Sequence, residues 1–322
     1  MRGATVPPAR PDVVGPLVVG IVNVTPDSFS DGGNFFSADD AVAHAKRLVA
    51  EGADMLDVGG ESTRPQGATP VEVEEELRRI LPVVRALRTA CPGIPISVDT
   101  VKAAVAAAAL EAGASVINDV SGLRIDPAIA QVCAEAGAGL VVMHSRGGIG
   151  DMSTYQHASY GPDVVGDVVA ELAAQVHVAL AAGVRPDSIA VDPGIGFSKR
   201  SVHSLAVLSA LPRVVALGYP VMVGISRKRF IGEITGVQEP AGRTYGSIGA
   251  AVAALARGAR LFRVHDVRGT REALDAAWAI LGPDAAGDAA GDAAGDAPSD
   301  APSDAPGAPD QLPVGGTAPR PD

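Results

Sequence analysis

The chain of 322 residues is short of several things, and each shortage removes a class of protein. Its two cysteines, Cys91 and Cys133, stand apart and in no metal-binding spacing. That excludes a disulfide scaffold and is expected of structural thiols in a reducing cytosol. Aromatic residues make up 3% and no basic stripe occurs, so nothing marks a nucleic-acid surface. No apolar run reaches spanning length, so no membrane helix is expected. Residues 1 to 16 have no apolar stretch of the secretory kind, which leaves a cytoplasmic location as the expectation. Walker loop, nucleophile elbow and His-Glu-x-x-His are all missing, and His144 and His157 are poorly spaced for a zinc pair. Lysine is scarce too: of 26 basic residues only Lys46, Lys102, Lys199 and Lys228 are lysine.

What the chain has is a rhythm. Eight short apolar runs end in polar residues capable of chemistry. Val18–Val22 runs into Asn23, and Met55–Val58, which contains Asp57, into Gly59-Gly60-Glu61-Ser62-Thr63-Arg64-Pro65. Pro95–Val98 stops at Asp99, Ala114–Ile117 at Asn118-Asp119, Leu140–Met143 at His144 and Ile189–Val191 at Asp192. Val221–Ile225 runs into Ser226-Arg227-Lys228, and Leu261-Phe262 into Arg263-Val264-His265-Asp266. Helical patterns separate the runs, among them Ser37 to Ala50 and Val71 to Leu87. Gly52-Ala53, Gly113-Ala114, Gly137-Ala138 and Gly258-Ala259 each close a helix before a strand, the place of a left-handed cap. Strands alternating with helices predict a parallel sheet, and eight such units predict an α/β fold, a (β/α)8 TIM barrel. Such a barrel gathers all eight strand ends around one mouth, so the pattern predicts a single polar pocket and an enzyme.

The barrel is expected over residues 16–282, as one domain behind a flexible N-terminus of residues 1–15. Residues 283–322 repeat aspartate amid Ala, Gly, Pro and Ser. Their eight aspartates against Arg320 account for most of the formal net charge of -11. Without large apolar residues this tail cannot offset its ordering entropy and is expected to be disordered.

Three loops invite a functional reading. Thr25 to Phe36 is glycine-rich and polar yet holds Phe29, Phe35 and Phe36. Phe35 and Phe36 suit a helix staple, whereas Phe29 suits a lid that stacks on a flat ligand. Asp99, Asn118 and Asp192 end strands three, four and six, and could read a heterocycle with adjacent N–H donors. Asp99 has a competing role as a helix cap, because a helix is expected from Thr100. The glycines after Asp192 suggest close backbone approach to a ligand. Arg263 and His265 share one face of strand eight. Lys228, kept in a chain that otherwise uses arginine, hints at a need for a compact ammonium.

In this order, Asn23 to Gly33, Asp57 to Pro65, Ser97 to Thr100, Ile117 to Gly122, Asp192 to Phe197, Ser226 to Lys228 and Arg263 to Asp266 resemble the dihydropteroate synthase family. The resemblance runs from about Leu17 to Ile280. It implies a transferase of folate biosynthesis that joins 4-aminobenzoate to 6-hydroxymethyl-7,8-dihydropterin diphosphate. By that resemblance Asp99, Asn118, Met143, Asp192 and Lys228 hold the pterin, and Thr63, Arg263 and His265 grip the diphosphate. Phe29, Arg64, Pro65 and Phe197 form the aminobenzoate pocket, Asn23 touches magnesium (Mg2+), and Asp27 joins Lys228, Arg263 and His265 as catalytic. A homodimer is implied, with small-molecule substrates and neither nucleic acid nor membrane as partner. Gln66 lengthens the second loop, Ser145 to Pro162 departs from the commoner pattern, and Arg229 stands where many members have serine. Two other readings are a non-catalytic pterin-binding paralogue and a methyltransferase-type barrel that binds a reduced folate. The paralogue is expected to lack loop and cation residues that are all present here, and the methyltransferase has no need of cations for a diphosphate.

Overall fold

The computed structural model describes residues 15–25, 38–62 and 70–282. Eight parallel strands form one sheet: β1 Leu17–Asn23, β2 Met55–Gly59, β3 Ile96–Asp99, β4 Val116–Asp119, β5 Gly139–Met143, β6 Ile189–Asp192, β7 Met222–Val223 and β8 Leu261–Val264. Their order is β6-β5-β4-β3-β2-β1-β8-β7, and a parallel bridge between Val191 and Val221 joins the two ends into a barrel. The expected (β/α)8 architecture is therefore observed.

The helices wrap the outside. They are α1 Ala38–Ala50, α2 Val73–Ala90, α3 Ala103–Ala112, α4 Ala128–Ala136, α5 Val164–Ala181, α6 Ser201–Ser209, α7 Pro212–Val215, α8 Arg229–Thr235, α9 Thr244–Leu255 and α10 Val267–Leu281. The glycine caps form as the sequence predicts. Gly52, Gly113, Gly137 and Gly258 all have positive φ. Ala53, Ala114, Ala138 and Ala259 each donate a backbone N–H back into the preceding helix, to Leu48, Ala109, Cys133 and Ala254. Gly183-Val184 repeats the device after α5, with φ of 94° and Val184 N–H on Ala179 O at 3.1 Å, at a place the rhythm did not reveal.

Side-chain alternation divides the core into two shells. Outward residues such as Val18, Leu56, Val98, Ile117, Leu140, Val191 and Phe262 pack under the helices. Inward residues Leu17, Val19, Met55, Val116, Val141, Ala190, Met222 and Leu261 fill the barrel interior as an apolar floor. Continuing the same parity toward the C-terminal strand ends brings Asn23, Asp57, Asp99, Asn118, Met143, Asp192 and Arg263 above that floor. The register sets Asp99 beside Asn118 and Met143 beside Asp192.

One helix bears on the expected absence of a membrane span, although Asp167 and Glu171 interrupt its apolar sequence. Helix α5, Val164–Ala181, is long and apolar enough to cross a membrane, with mean hydropathy 1.5. Its apolar residues Val165, Val168, Leu172, Val176 and Ala179 are buried against the barrel, and Gln175 is buried with them. Its composition reflects packing against β5 and the helices beside it. Cys91 and Cys133 are free and buried, as expected of structural thiols.

Candidate active site

The mouth is organised around Arg263. Its Nε donates to Asp57 Oδ2 at 2.6 Å and its Nη2 to Asp99 Oδ2 at 2.9 Å, leaving Nη1 out of both bonds. Asn118 Nδ2 donates to the same Asp57 oxygen at 3.2 Å. Asp57 thus aims two groups of the site at once, a role no feature of the sequence assigned to it. Burial raises the Asp99 carboxyl above the ordinary range, Arg263 opposes that, and Asp57 adds to it. Asp99 does not cap a helix: α3 begins at Ala103, whose N–H is taken by Asp126 Oδ2 at 2.7 Å.

The buried carbonyl oxygen of Asn118 has no hydrogen-bond partner among the described residues, nor has Asp57 Oδ1. An unpaired buried acceptor costs about 1–3 kcal/mol, so it marks a place where a donor is meant to arrive. Across the mouth, Asp192 Oδ1 accepts from Gly194 N–H at 2.7 Å. Its Oδ2 and the Lys228 ammonium flank Gly224, where a Cβ would lie 4.0 Å from the oxygen and 3.8 Å from Nζ. Burial raises the Asp192 carboxyl while Lys228 pulls it down. Lys228 is lowered to about 8, chiefly by burial, with Asp192 pulling the other way and Arg263 adding to the fall. Its Nζ donates to Ile195 O and sits 4.5 Å above the Phe197 ring. Met143, Val101, Val120 and Met152 form a small apolar cluster, with Ile149 and Phe197 against it. Apolar walls with acceptors on one side and an ammonium on the other suit a flat heterocycle rich in N–H groups.

Gly194 and Gly196 answer to the protein itself. At φ +65° a Cβ on Gly194 would lie 1.8 Å from His144 O, and at φ +80° one on Gly196 would lie 3.0 Å from Lys228 Cδ. The close approach expected after Asp192 is real, but it is to the neighbouring strand end and to Lys228.

Beside the mouth lies a cavity of about 600 Å³ lined by Asn23, His44, Arg47, Arg227, His265 and Arg268 among others. Ser226 Oγ fixes His265, accepting its backbone N–H at 3.2 Å and lying 3.1 Å from Nδ1. Arg227 is committed elsewhere, gripping Asp266 through Nε at 3.0 Å and Nη2 at 2.6 Å. Arg229 is exposed and stacks over Tyr155 at 4.6 Å. The Ser145 to Pro162 segment is tied to the loop after β6: Arg146 N–H donates to Ser198 Oγ at 2.9 Å, and Tyr160 Oη donates to Ser198 O at 3.0 Å.

Among the described residues no group of three or more His, Cys, Asp or Glu is arranged to hold a metal. Asn23 offers one neutral oxygen at the end of β1. That donor set suits a hard cation carried in on phosphate rather than one caged by protein. Asp27, Phe29, Thr63, Arg64 and Pro65 lie outside the described residues, as do residues 1–14 and 283–322. The ends of the second loop are described. Lys102 Nζ donates to Glu61 Oε2 at 2.8 Å and Glu76 Oε2 at 2.5 Å, and Glu61 Oε1 accepts Val71 N–H at 2.5 Å.

A parallel barrel with an acceptor-lined, apolar-walled mouth defines an enzyme that reads a heterocycle, and the chain belongs to the pterin binding enzyme family, whose pattern matches residues 19–265. Within that family it is a member of the dihydropteroate synthases. The dihydropteroate synthase of Mycobacterium leprae is 49% identical over 274 residues, covering 83% of this chain and 94% of the relative. The Xanthomonas albilineans dihydropteroate synthase with 4-aminobenzoic acid superposes with a TM-score of 0.77 at 46% identity, covering 83% of this chain and 93% of that one. The same enzyme in complex with 7,8-dihydropteroate gives a TM-score of 0.74 at 44% identity, with 83% and 94% covered.

Proposed function

We infer that this protein is a transferase of folate biosynthesis, a dihydropteroate synthase that condenses 4-aminobenzoate with 6-hydroxymethyl-7,8-dihydropterin diphosphate. The observation that carries the reading is the unpartnered, buried Asn118 oxygen in a mouth that also holds Asp192 and Lys228. In this reading Asn118 and Asp192 accept the pterin's N–H groups, Lys228 donates to its carbonyl, and Met143 packs on the ring. Arg263 presents Nη1 while Asp57 and Asp99 hold its plane. Arg263 and His265 face the departing diphosphate and stabilise its growing charge. The amine nitrogen of 4-aminobenzoate attacks the pterin's methylene carbon, the carbon–oxygen bond breaks, and pyrophosphate leaves with that electron pair. The arylamine is mostly unprotonated at neutral pH and sheds its proton after attack, so no strong base is required. Positioning supplies most of the acceleration.

Magnesium held by the diphosphate and Asn23 would neutralise phosphate charge. Thr63 at the diphosphate, Phe29, Arg64, Pro65 and Phe197 around 4-aminobenzoate, and Asp27 as a catalytic residue are assigned by likeness to the family. A cytoplasmic homodimer is part of the same proposal. Val202 and Leu205 on α6, Ile234 on α8 and Tyr245 on α9 are large exposed apolar residues on neighbouring helices, as an interface requires. The pterin reading is tested by calorimetry with 6-hydroxymethylpterin. Asn118→Ala removes the waiting acceptor and should weaken binding by about 10-fold, the scale of one buried hydrogen bond. Wild-type affinity in a folded Asn118→Ala protein would remove that support.

A further inference from the structure

Behind the mouth lies a second polar cluster that none of the roles above uses. Lys199 is among the largest fully buried side chains of the described residues, 1% exposed. Its Nζ lies 2.7 Å from His144 Nδ1, 3.2 Å from Gly194 O and 3.2 Å from Phe197 O. His144 is fully buried, and its Nε2 lies 3.0 Å from Glu171 Oε2 on α5. Arg146 Nε completes the far end, donating to Glu171 Oε2 at 3.1 Å.

With the His144 ring neutral, the proton inventory of this cluster follows from its geometry. A carboxylate only accepts, so His144 must carry its proton on Nε2 and give it to Glu171. Nδ1 is then a lone pair, and Lys199 must donate to it. The ammonium has three N–H groups and meets three acceptors: Nδ1 and the two carbonyls. A neutral amine would leave one of these acceptors without a donor. Burial and the Lys199 charge lower His144 to about 4, so the ring stays neutral. Burial acts to raise Glu171, but the bonds from His144 and Arg146 outweigh it and hold the carboxyl at about 2. Burial, with Lys228 and Arg146 adding to it, pulls Lys199 well below the ordinary lysine range, while Asp192 and Glu171 oppose the fall. The geometry, three acceptors around Nζ, is what calls for an ammonium there.

The two carbonyls that Lys199 holds belong to residues 193–197 of the loop after β6, directly behind Asp192. We propose that Lys199 is a positioning residue for the pterin site, its ammonium fastening the 193–197 loop to the end of β5 through His144. Lys199 does not reach the mouth itself. It fixes the carbonyls on either side of Ile195, whose own carbonyl receives Lys228. Three groups assigned to the ligand, Asp192, Phe197 and Lys228, thereby rest on one buried ammonium. The proposal rests on the reading that these three line the pterin and aminobenzoate pockets.

The test compares wild type with Lys199→Met, Lys199→Arg and Asp192→Asn, by calorimetry with 6-hydroxymethylpterin and by thermal melting. Methionine matches the lysine stem but leaves three buried acceptors without a donor, so Lys199→Met should melt lower yet remain folded at the assay temperature. Its pterin Kd should rise by about 100-fold, the scale of a misplaced positioning contact. Lys199→Arg should not rescue, because a planar fork cannot meet three acceptors set for a tetrahedral ammonium. Nitrogen chemical shifts give an independent readout: His144 should be the Nε2–H tautomer in both proteins, and its Nδ1 resonance should move in Lys199→Met as that lone pair loses its donor. A folded Lys199→Met with wild-type affinity overturns the proposal, provided Asp192→Asn binds pterin weakly. Wild-type affinity in Asp192→Asn overturns the underlying site assignment instead. Should Lys199→Met not fold, Glu171→Gln takes its place, on a partly exposed side chain. The pterin Kd should then rise at neutral pH, and a wild-type Kd in Glu171→Gln overturns the proposal.

Discussion

Lys228 carries the sharpest prediction at the residue scale. Its ammonium is needed charged, yet burial brings its pKa to about 8. In the unfolded chain it titrates near the ordinary lysine value. Between those two pH values the unfolded chain binds the extra proton, so deprotonation there raises fold stability slightly while removing the donor. Pterin affinity of the free enzyme should therefore fall as pH rises through about 8. Lys228→Arg does not titrate in that range, so the limb should vanish. Its planar fork should also cost turnover at neutral pH by about 100-fold. An unchanged alkaline limb in Lys228→Arg would assign it to another group. The scarcity of lysine was legible as a hint at Lys228, and the structure extends the hint further than the sequence could. Lys102 meets two carboxylates and Lys199 meets three acceptors, so three of the four lysines sit in networks built for a compact ammonium. Asp57 was not legible. It stands within β2, two positions before the glycines that open the visible polar ending, and its importance comes from Arg263 across the barrel.

The elements show why strand ends were readable and loops were less so. Period-two alternation fixes which residues face inward, so Asp99, Asn118, Asp192 and Arg263 converge once a barrel is assumed. Which atoms they touch depends on register and on residues far away in sequence, and no local pattern encodes that. The glycines separate in the same way. Gly137 and Gly194 both adopt positive φ, near 62° and 65°, but nothing lies within 4 Å of a Cβ at Gly137. Gly137→Ala should therefore cost only the left-handed strain, about 1–2 kcal/mol in a thermal or denaturant melt. Gly194→Ala adds a clash with His144 O that backbone movement alone can relieve. It should destabilise more than Gly137→Ala and also reduce pterin affinity, because relief moves Asp192. Equal melting temperatures and equal pterin affinities for the two variants would contradict this account of the loop.

For the whole molecule, the barrel from residue 16 to 282 is expected to carry the activity alone. Ending the chain at Gly282 removes most of its net negative charge but none of the apolar core. Melting temperature and turnover should stay within error of the full chain, and a large fall in either would give the tail a part in the fold. The central claim is that the eight strand ends form one site that joins two substrates. A pyrophosphate-release assay tests it most directly, using the pterin diphosphate, 4-aminobenzoate and magnesium, singly and together. Pyrophosphate should appear only when both organic substrates are present, in step with 7,8-dihydropteroate, and should cease in Lys228→Ala. Pterin binding without pyrophosphate release, or release that ignores 4-aminobenzoate, would contradict it.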